Sequence, residues 1–300
     1  MPKNKERLDV LMVQQGLATS REKAKAAIMA GLVFAGGERL DKPGLDLPVS
    51  TTLELRGQTL PFVSRGGLKL AKAVEVFGLS FAGQVVADIG ASTGGFTDCA
   101  LQNGAVRVYA IDVGYGQLDW KLRTDPRVVS LERTNARYLT RQSLPEQVDW
   151  VVCDVAFISL TKIMPAMQAI LQNHGQVVTL IKPQFEAGRE HVGKKGVVRN
   201  PAVHDLVLQN VLSEAGRQGF VVRGLDYSPI RGPEGNIEYL AWLGRSPGVD
   251  KVCEPPEHTG AQTDASRPEN EQSKLAPLLW REMVAGLVER AQKETEKDHG

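Results

Sequence analysis

The chain has 300 residues, 42% of them hydrophobic, enough for a sizeable core in one large domain or two. No stretch stays apolar for about 18 residues and the N-terminus, MPKNKERLD, has no apolar signal segment, which argues against stable membrane insertion and predicts a cytosolic protein. Cys99, Cys153 and Cys253 are too few and too scattered for a disulfide framework or a zinc site, so no metal is expected. The net charge of +1 hides an asymmetry: residues 245–300 hold 8 Lys/Arg against 11 Asp/Glu, and the rest 28 against 24.

Residues 6–55 read as a small domain. Leu8, Val10, Leu11 and Val13 form the apolar stripe of a helix ending at Gly16, and Ser20 caps a second helix carrying Ala24, Ala27 and Ile28, closed by Gly31. Strand-like pieces follow at Leu32–Ala35 and Thr52–Leu55. Composition alone would make the surrounding basic residues a solvated face. The pattern is more specific: Arg7-Leu8-Asp9, Gly16-Leu17-Ala18-x-Ser20-Arg21, Ala30-Gly31-x-Val33 and Lys42-Pro43-Gly44 resemble the alpha-L RNA-binding domain of the ribosomal S-four type. The resemblance implies that Arg7, Arg21, Lys25 and Lys42 face an RNA backbone, giving affinity and position more than sequence choice.

Residues 56–65 contain Pro61 and little periodicity, and read as a linker. A helix is expected over Gly66–Phe77, where Lys69, taken alone, is a solvent-facing lysine. From there to residue 244 the chain alternates in α/β fashion. Strands are expected at Val85–Asp88, Arg107–Ile111, Val128–Leu131, Trp150–Asp154 and Val177–Lys182. Helices are expected near Gly94–Asn103, Leu118–Arg123, Leu160–Leu171 and Pro201–Gln218. Phe220–Tyr227 and Ile237–Leu243 come last without an intervening helix, which predicts an antiparallel hairpin at the sheet edge. The fold class is therefore α/β, a Rossmann-like methyltransferase layout with a parallel sheet, behind a small α+β domain.

Val85–Asp98, VVADIGASTGGFTD, organises this body. A strand ends on Asp88, a glycine turn follows, and a helix begins, so backbone can approach a ligand closely and point free N–H groups at it. Asp112, ending the next strand, is placed to accept hydrogen bonds from a ribose diol. The turn is neither G-x-G-x-x-G nor a P-loop, which favours S-adenosylmethionine over NAD; a tight turn without a ligand is the plain alternative. Asp154 and Lys182 end neighbouring strands on the same edge, where ligands of doubly wound sheets bind, although each alone could serve a structural ion pair. Gln184–Arg199, with Arg189, Lys194 and Lys195, reads either as a surface loop or as a mobile basic flap over a polyanion.

Five motifs together are specific: Ser64-Arg65-Gly66-Gly67-Leu68-Lys69-Leu70, Asp88-Ile89-Gly90-Ala91-Ser92-Thr93-Gly94-Gly95-Phe96-Thr97, Asp154-x-x-Phe157-Ile158-Ser159-Leu160, Lys182-Pro183-Gln184-Phe185-Glu186 and Gly235-Asn236-Ile237-Glu238-Tyr239. They resemble the TlyA-type haemolysin A proteins, ribosomal RNA 2′-O-ribose methyltransferases with an FtsJ-like catalytic domain. The resemblance spans residues 6–243. It implies a catalytic tetrad on Lys69, Asp154, Lys182 and Glu238. It also implies S-adenosylmethionine held by Asp88, Gly90, Ala91, Ser92, Thr93, Gly94, Gly95, Phe96, Thr97, Asp112 and Asp154. Arg65, Arg189, Lys194 and Lys195 join the residues expected to meet RNA. Lys182 is either a neutral base, with its amine brought down from about 10.4, or an ammonium that stabilises the developing alkoxide. A non-catalytic RNA-binding assembly factor and a membrane-active haemolysin are the alternative functions. The target nucleotide, the ribosomal subunit and the oligomeric state are not legible.

Residues 245–273, rich in Pro and polar residues, read as a disordered linker. Leu275, Leu278, Leu279, Met283, Leu287 and Val288 then recur at helical spacing, predicting an amphipathic helix over 274–293 that docks on the body or binds a partner.

Overall fold

A computed structural model describes residues 5–29, 31–56, 60–246 and 283–294. The chain divides into two compact units, 1–61 and 62–300. The expected linker is thus shared: Phe62 and Val63 pack against a core of the second unit, and Val63 N donates to the buried Asp98 carboxylate at 2.9 Å.

In the first unit, β1 (Lys5–Arg7) leads into α1 (Leu8–Gln14) and α2 (Arg21–Met29), followed by β2 (Val33–Ala35), β3 (Glu38–Arg39), β4 (Asp46–Pro48) and β5 (Glu54–Leu55). Strands β3-β2-β5 form an antiparallel sheet and β1 pairs with β4. Ser20 caps α2 through its Oγ, which accepts from Lys23 N. Leu8, Leu11, Met12, Ala24, Ile28, Val33 and Leu53 close the core, so the apolar stripes of both helices face it as their spacing requires.

The second unit opens with α3 (Gly66–Phe77) and alternates through β6 (Val85–Ile89), α4 (Gly95–Gln102), β7 (Arg107–Ile111), α5 (Trp120–Arg123), β8 (Val128–Leu131), β9 (Val148–Cys153), α6 (Met164–Ile170), β10 (Leu171–Ile181), α7 (Pro183–Glu186), α8 (Pro201–Arg217), β11 (Phe220–Tyr227) and β12 (Tyr239–Arg245). The seven-stranded sheet runs β11-β12-β10-β9-β6-β7-β8. β10, β9, β6, β7 and β8 are mutually parallel, and β12 is antiparallel to both β10 and β11. The terminal hairpin thus sits at the sheet edge with its second strand inward. Alternating strand residues feed two cores: Ala87, Ile89, Val151 and Cys153 face α6 and α8, whereas Val86, Val108, Trp150 and Val152 face α3 and α4.

Several boundaries differ from expectation: β12 begins at Tyr239 rather than Ile237, and β9 spans Val148–Cys153 rather than Trp150–Asp154. β10 begins at Leu171, because Leu171 already pairs with Val148 before a register break, after which pairing resumes at Gln176 with Trp150. The helix expected over Leu160–Leu171 is a 3₁₀ turn, Leu160–Lys162, and then α6, with Pro165 in its first turn. At the C-terminus, a helix over 283–294 (α9) buries Val284, Leu287, Val288 and Ala291 in the α6/α8 core, and the Tyr227 hydroxyl bonds Glu294. Docking on the body is therefore what this helix does. Residues 247–282, which include most of the expected linker and the start of the expected helix, lie outside the described residues.

Candidate active site

The cofactor turn follows directly from β6. Gly90 has φ +82°, and a Cβ there would lie 2.8 Å from the Asp154 carbonyl oxygen, so only glycine lets β6 and β9 end this close. At Gly95 a Cβ would meet Gly67 N at 2.7 Å, which explains the intimate packing of α4 on α3. Ser92 N and Gly114 N donate to the two Asp112 oxygens at 2.8 and 2.7 Å, tying the turn to the end of β7. Each oxygen keeps a free lone pair for a diol.

A cavity of about 760 Å³ opens beside the turn, within the size range of ligand sites. Gly90, Ala91, Ser92, Thr93, Gly95 and Phe96 form one wall, while Lys69, Asp154, Lys182 and Glu238 also line it, with Arg65 at its edge. Of the residues expected to hold the cofactor, Asp88, Gly94, Thr97 and Asp112 lie outside its lining, and Asp112 borders a separate small pocket beside Ala91 and Ser92. Asp88 and Thr97 are fully buried and bond each other, Thr97 Oγ1 donating to Asp88 Oδ2 at 2.6 Å, so they brace the turn from beneath. Burial pushes the Asp88 carboxyl up to about 7.

The four ionisable residues of the expected tetrad converge. Lys182 Nζ lies 2.5 Å from Asp154 Oδ1; Lys69 Nζ lies 3.2 Å from Asp154 Oδ2 and 2.6 Å from Glu238 Oε2. Asp154 and Lys182 directly follow β9 and β10, Glu238 directly precedes β12, and Lys69 comes from the second turn of α3. Two carboxylates and two ammoniums alternate in one chain, so each buried charge has an opposite neighbour. Burial alone would lower the Lys69 amine; Asp154 and Glu238 outweigh it and hold it above its ordinary value. Lys69 is thus a charged strut between two carboxylates. Lys182 pairs with one carboxylate only, which leaves ammonium hydrogens for an oxygen in the cavity.

The expected RNA-facing residues divide. Lys25, Lys42, Arg65, Arg189, Lys194 and Lys195 are exposed. Arg7 and Arg21 are half-exposed and both bind the buried Asp9 carboxylate, at 3.0 and 2.9 Å, so they are held in place as well as presented. Sequence reasoning did not single out Asp9, although an acid between two expected RNA-facing arginines was a usable signal. It quoted Glu186 as the last residue of the Lys182-Pro183-Gln184-Phe185-Glu186 motif, with no role of its own. Glu186 accepts from Ser159 Oγ and Leu160 N, both at 2.7 Å, and so latches the segment after Asp154 to the segment after Lys182. Phe157, 91% exposed and at φ +63°, packs with its ring tilted 53° to that of Phe185, centroids 5.3 Å apart, at the cavity wall.

Residues 62–245 match the model of the FtsJ-like methyltransferases, and residues 6–53 match the S4 domain. The chain belongs to the FtsJ-like methyltransferase family. Within it, the chain is of the TlyA/haemolysin A type, with an S4 domain ahead of the catalytic domain. It is 53% identical over 244 residues to YqxC of Bacillus subtilis, named as an rRNA methyltransferase, covering 81% of this chain and 87% of that protein. It is 44% identical to the 16S/23S rRNA (cytidine-2′-O)-methyltransferase TlyA of Mycobacterium tuberculosis, over 79% of this chain and 89% of the relative. A solved structure from Streptococcus thermophilus, described as a hemolysin, superposes with TM-score 0.71 at 46% identity, covering 99% of this chain and 98% of that one. Among the described residues no helix is long and apolar enough to cross a membrane. S-adenosylmethionine is the cofactor of this methyltransferase family. The close backbone approach at Gly90, the left-handed turn, the Asp112 acceptor and the adjoining cavity fit such a ligand.

Proposed function

We propose that this chain methylates the 2′-hydroxyl of a ribose in ribosomal RNA, with cytidine as the target nucleoside, acting in the cytoplasm. The observation that carries the reading is the alternating Lys182–Asp154–Lys69–Glu238 chain on the cavity wall facing the cofactor turn. S-adenosylmethionine supplies an electrophilic methyl group on a sulfonium, for which a deprotonated oxygen must be brought to about 3–3.5 Å. Ser92, Thr93 and Asp112 would hold its polar groups, and Phe96 and Ala91 its apolar surface.

Lys182 meets the ribose oxygen. Its free ammonium hydrogens stabilise the alkoxide, while water in the open cavity takes the hydroxyl proton and the methyl leaves the sulfonium as its sulfur becomes a neutral thioether. Asp154 fixes Lys182 from behind, and the Lys69–Glu238 pair fixes Asp154. No cysteine or histidine among the described residues lines the cavity, which favours the ribose oxygen itself as the nucleophile. The S4 domain supplies sequence-independent grip on the RNA backbone through Lys25 and Lys42 and through Arg7 and Arg21 seated on Asp9.

The test is transfer of tritiated methyl groups to ribosomal subunits from cells lacking this gene, followed by mapping of ribose-methyl positions. Incorporation at a ribose 2′-oxygen is expected. Binding of subunits with no incorporation would leave a non-catalytic assembly factor in its place.

A further inference from the structure

The segment between α7 and α8, expected to be either a surface loop or a mobile flap, carries a hydrogen-bonded turn. Gly193–Val197 closes a tight turn: Gly196 N donates to Gly193 O at 2.8 Å and Gly193 N donates to Val197 O at 3.1 Å. Gly196 stands at φ +72° with open space where a Cβ would project. Glycine is needed there for its left-handed backbone and not for room. This bonding pattern is the bulged three-residue hairpin loop, and it sets Lys194 and Lys195 at the two corners.

The root of the turn is buried and fully bonded. Val198 N donates to Asn236 Oδ1 at 3.0 Å, and Asn236 Nδ2 donates to Gly196 O at 2.8 Å. His204 Nε2 bonds Val198 O at 2.9 Å, and His204 Nδ1 bonds the Tyr239 hydroxyl at 2.8 Å. A carbonyl only accepts, so the imidazole proton sits on Nε2, and Nδ1 accepts from the tyrosine. Burial holds His204 below its ordinary value, which keeps this neutral arrangement. Asn236 and Tyr239 lie on either side of Glu238 in sequence, so the same bonds tie the turn to the segment, just ahead of β12, that carries the tetrad's second carboxylate.

At the tip the chemistry is reversed. Lys194 and Lys195 are exposed, and among the described residues neither pairs with a carboxylate. Gly196 lines the catalytic cavity, so two unpaired ammoniums stand at its rim on a rigid support.

We propose that this turn is a preformed phosphate grip: Lys194 and Lys195 hold the RNA backbone beside the ribose that enters the cavity, and Asn236 and His204 are positioning residues for it. The proposal rests on the ribose-methylation reading and adds where the strand is held next to the target. A fixed turn spares the ordering entropy that a free loop would lose on binding. Phosphate contacts of this kind set register without reading sequence.

The experiment uses the full-length protein, ribosomal subunits lacking the methyl mark, and initial rates over a series of salt concentrations. For Lys194→Ala/Lys195→Ala, KM is expected to rise about tenfold while kcat falls less than threefold, and cofactor affinity holds. The slope of log(kcat/KM) against log salt should become shallower by about 1–2, as for one or two lost phosphate contacts. Lys194→Arg/Lys195→Arg should restore both. Gly196→Ala keeps both charges but strains the turn, and should raise KM about threefold with the salt slope unchanged. Wild-type KM and slope in the double alanine variant would overturn the grip. Wild-type KM in Gly196→Ala would overturn its preformed geometry and leave diffuse attraction. Failure of the wild-type protein to methylate any ribosomal RNA would instead sink the function reading; filter binding of the same RNA to wild type and the alanine variant, over the same salt series, would then decide the grip by itself.

Discussion

Asp9 in the small domain and Asp88 in the catalytic domain are both fully buried, yet they are built for opposite states of charge. Arg7 and Arg21 bond both oxygens of Asp9, and the Arg7 hydrogen bond leads in holding its carboxyl down to about 2. Asp88 has the Thr97 hydroxyl on one oxygen, and its other oxygen is buried with no hydrogen-bond partner. Burial is what pushes it up to about 7. Equal burial therefore says nothing about charge; the partners decide it. Asp9 is a counter-ion that pins two guanidiniums to a surface, and Asp88 is a brace beneath the cofactor turn whose charged form burial disfavours.

Asp154 combines both designs, because it is a counter-ion shared by two lysines inside a ligand cavity. Asp154→Ala should give the largest effect, a loss of about 10²–10⁴ in methyl transfer measured at saturating cofactor. It leaves Lys69 and Lys182 facing each other, so a loss confined to stability would contradict the assigned role.

Asp9→Ala should cost about 1–3 kcal/mol of small-domain stability in urea unfolding, since it removes charge-assisted bonds but frees arginines that water can solvate. RNA affinity should fall with it, because Arg7 and Arg21 lose their seat. Unchanged unfolding and affinity would mean the pairing does not hold those arginines.

The two aspartates also predict opposite pH slopes. The folded chain keeps a proton on Asp88 that the unfolded chain has already released, so its contribution to stability falls as pH rises from about 4 to about 7. Asp9 contributes above about pH 4 and loses that contribution as pH falls towards 2. In cofactor-free protein, Asp88→Asn should flatten the decline in the unfolding midpoint between pH 5 and 7. An unaltered profile would remove Asp88 as its source.

The smallest effect on rate is expected from truncation after residue 245. Val284, Leu287, Val288 and Ala291 leave the core, so the unfolding midpoint should drop, while kcat stays within about twofold because α9 lines no part of the cavity. A larger fall in kcat at a temperature where the truncated protein is folded would give the helix a catalytic task.

The sheet was legible because its parallel strands are apolar runs with a charge next to the end, Asp88, Asp112, Asp154 and Lys182, and α3 and β11 have the bounds that their periodicity predicts. Lys69 was not legible from its surroundings, since its partners lie 85 and 169 residues away in sequence. Only the assembled motif pointed to it. The pinning of Arg7 and Arg21 was missed because charge patterns show which residues are basic and not which are held. The anchored turn at Gly193–Val197 was missed for a related reason: its order comes from Asn236 and His204, whereas its own residues have no apolar period.

The central claim is that Lys182 works on the ribose oxygen while the cofactor turn works without it. Single-turnover methyl transfer by Lys182→Ala, with cofactor affinity measured on the same preparation, tests that most directly. The account predicts a rate lowered by at least about 10²-fold with affinity within about threefold of wild type. A cofactor-bound variant that methylates ribosomal RNA at the wild-type rate would contradict it.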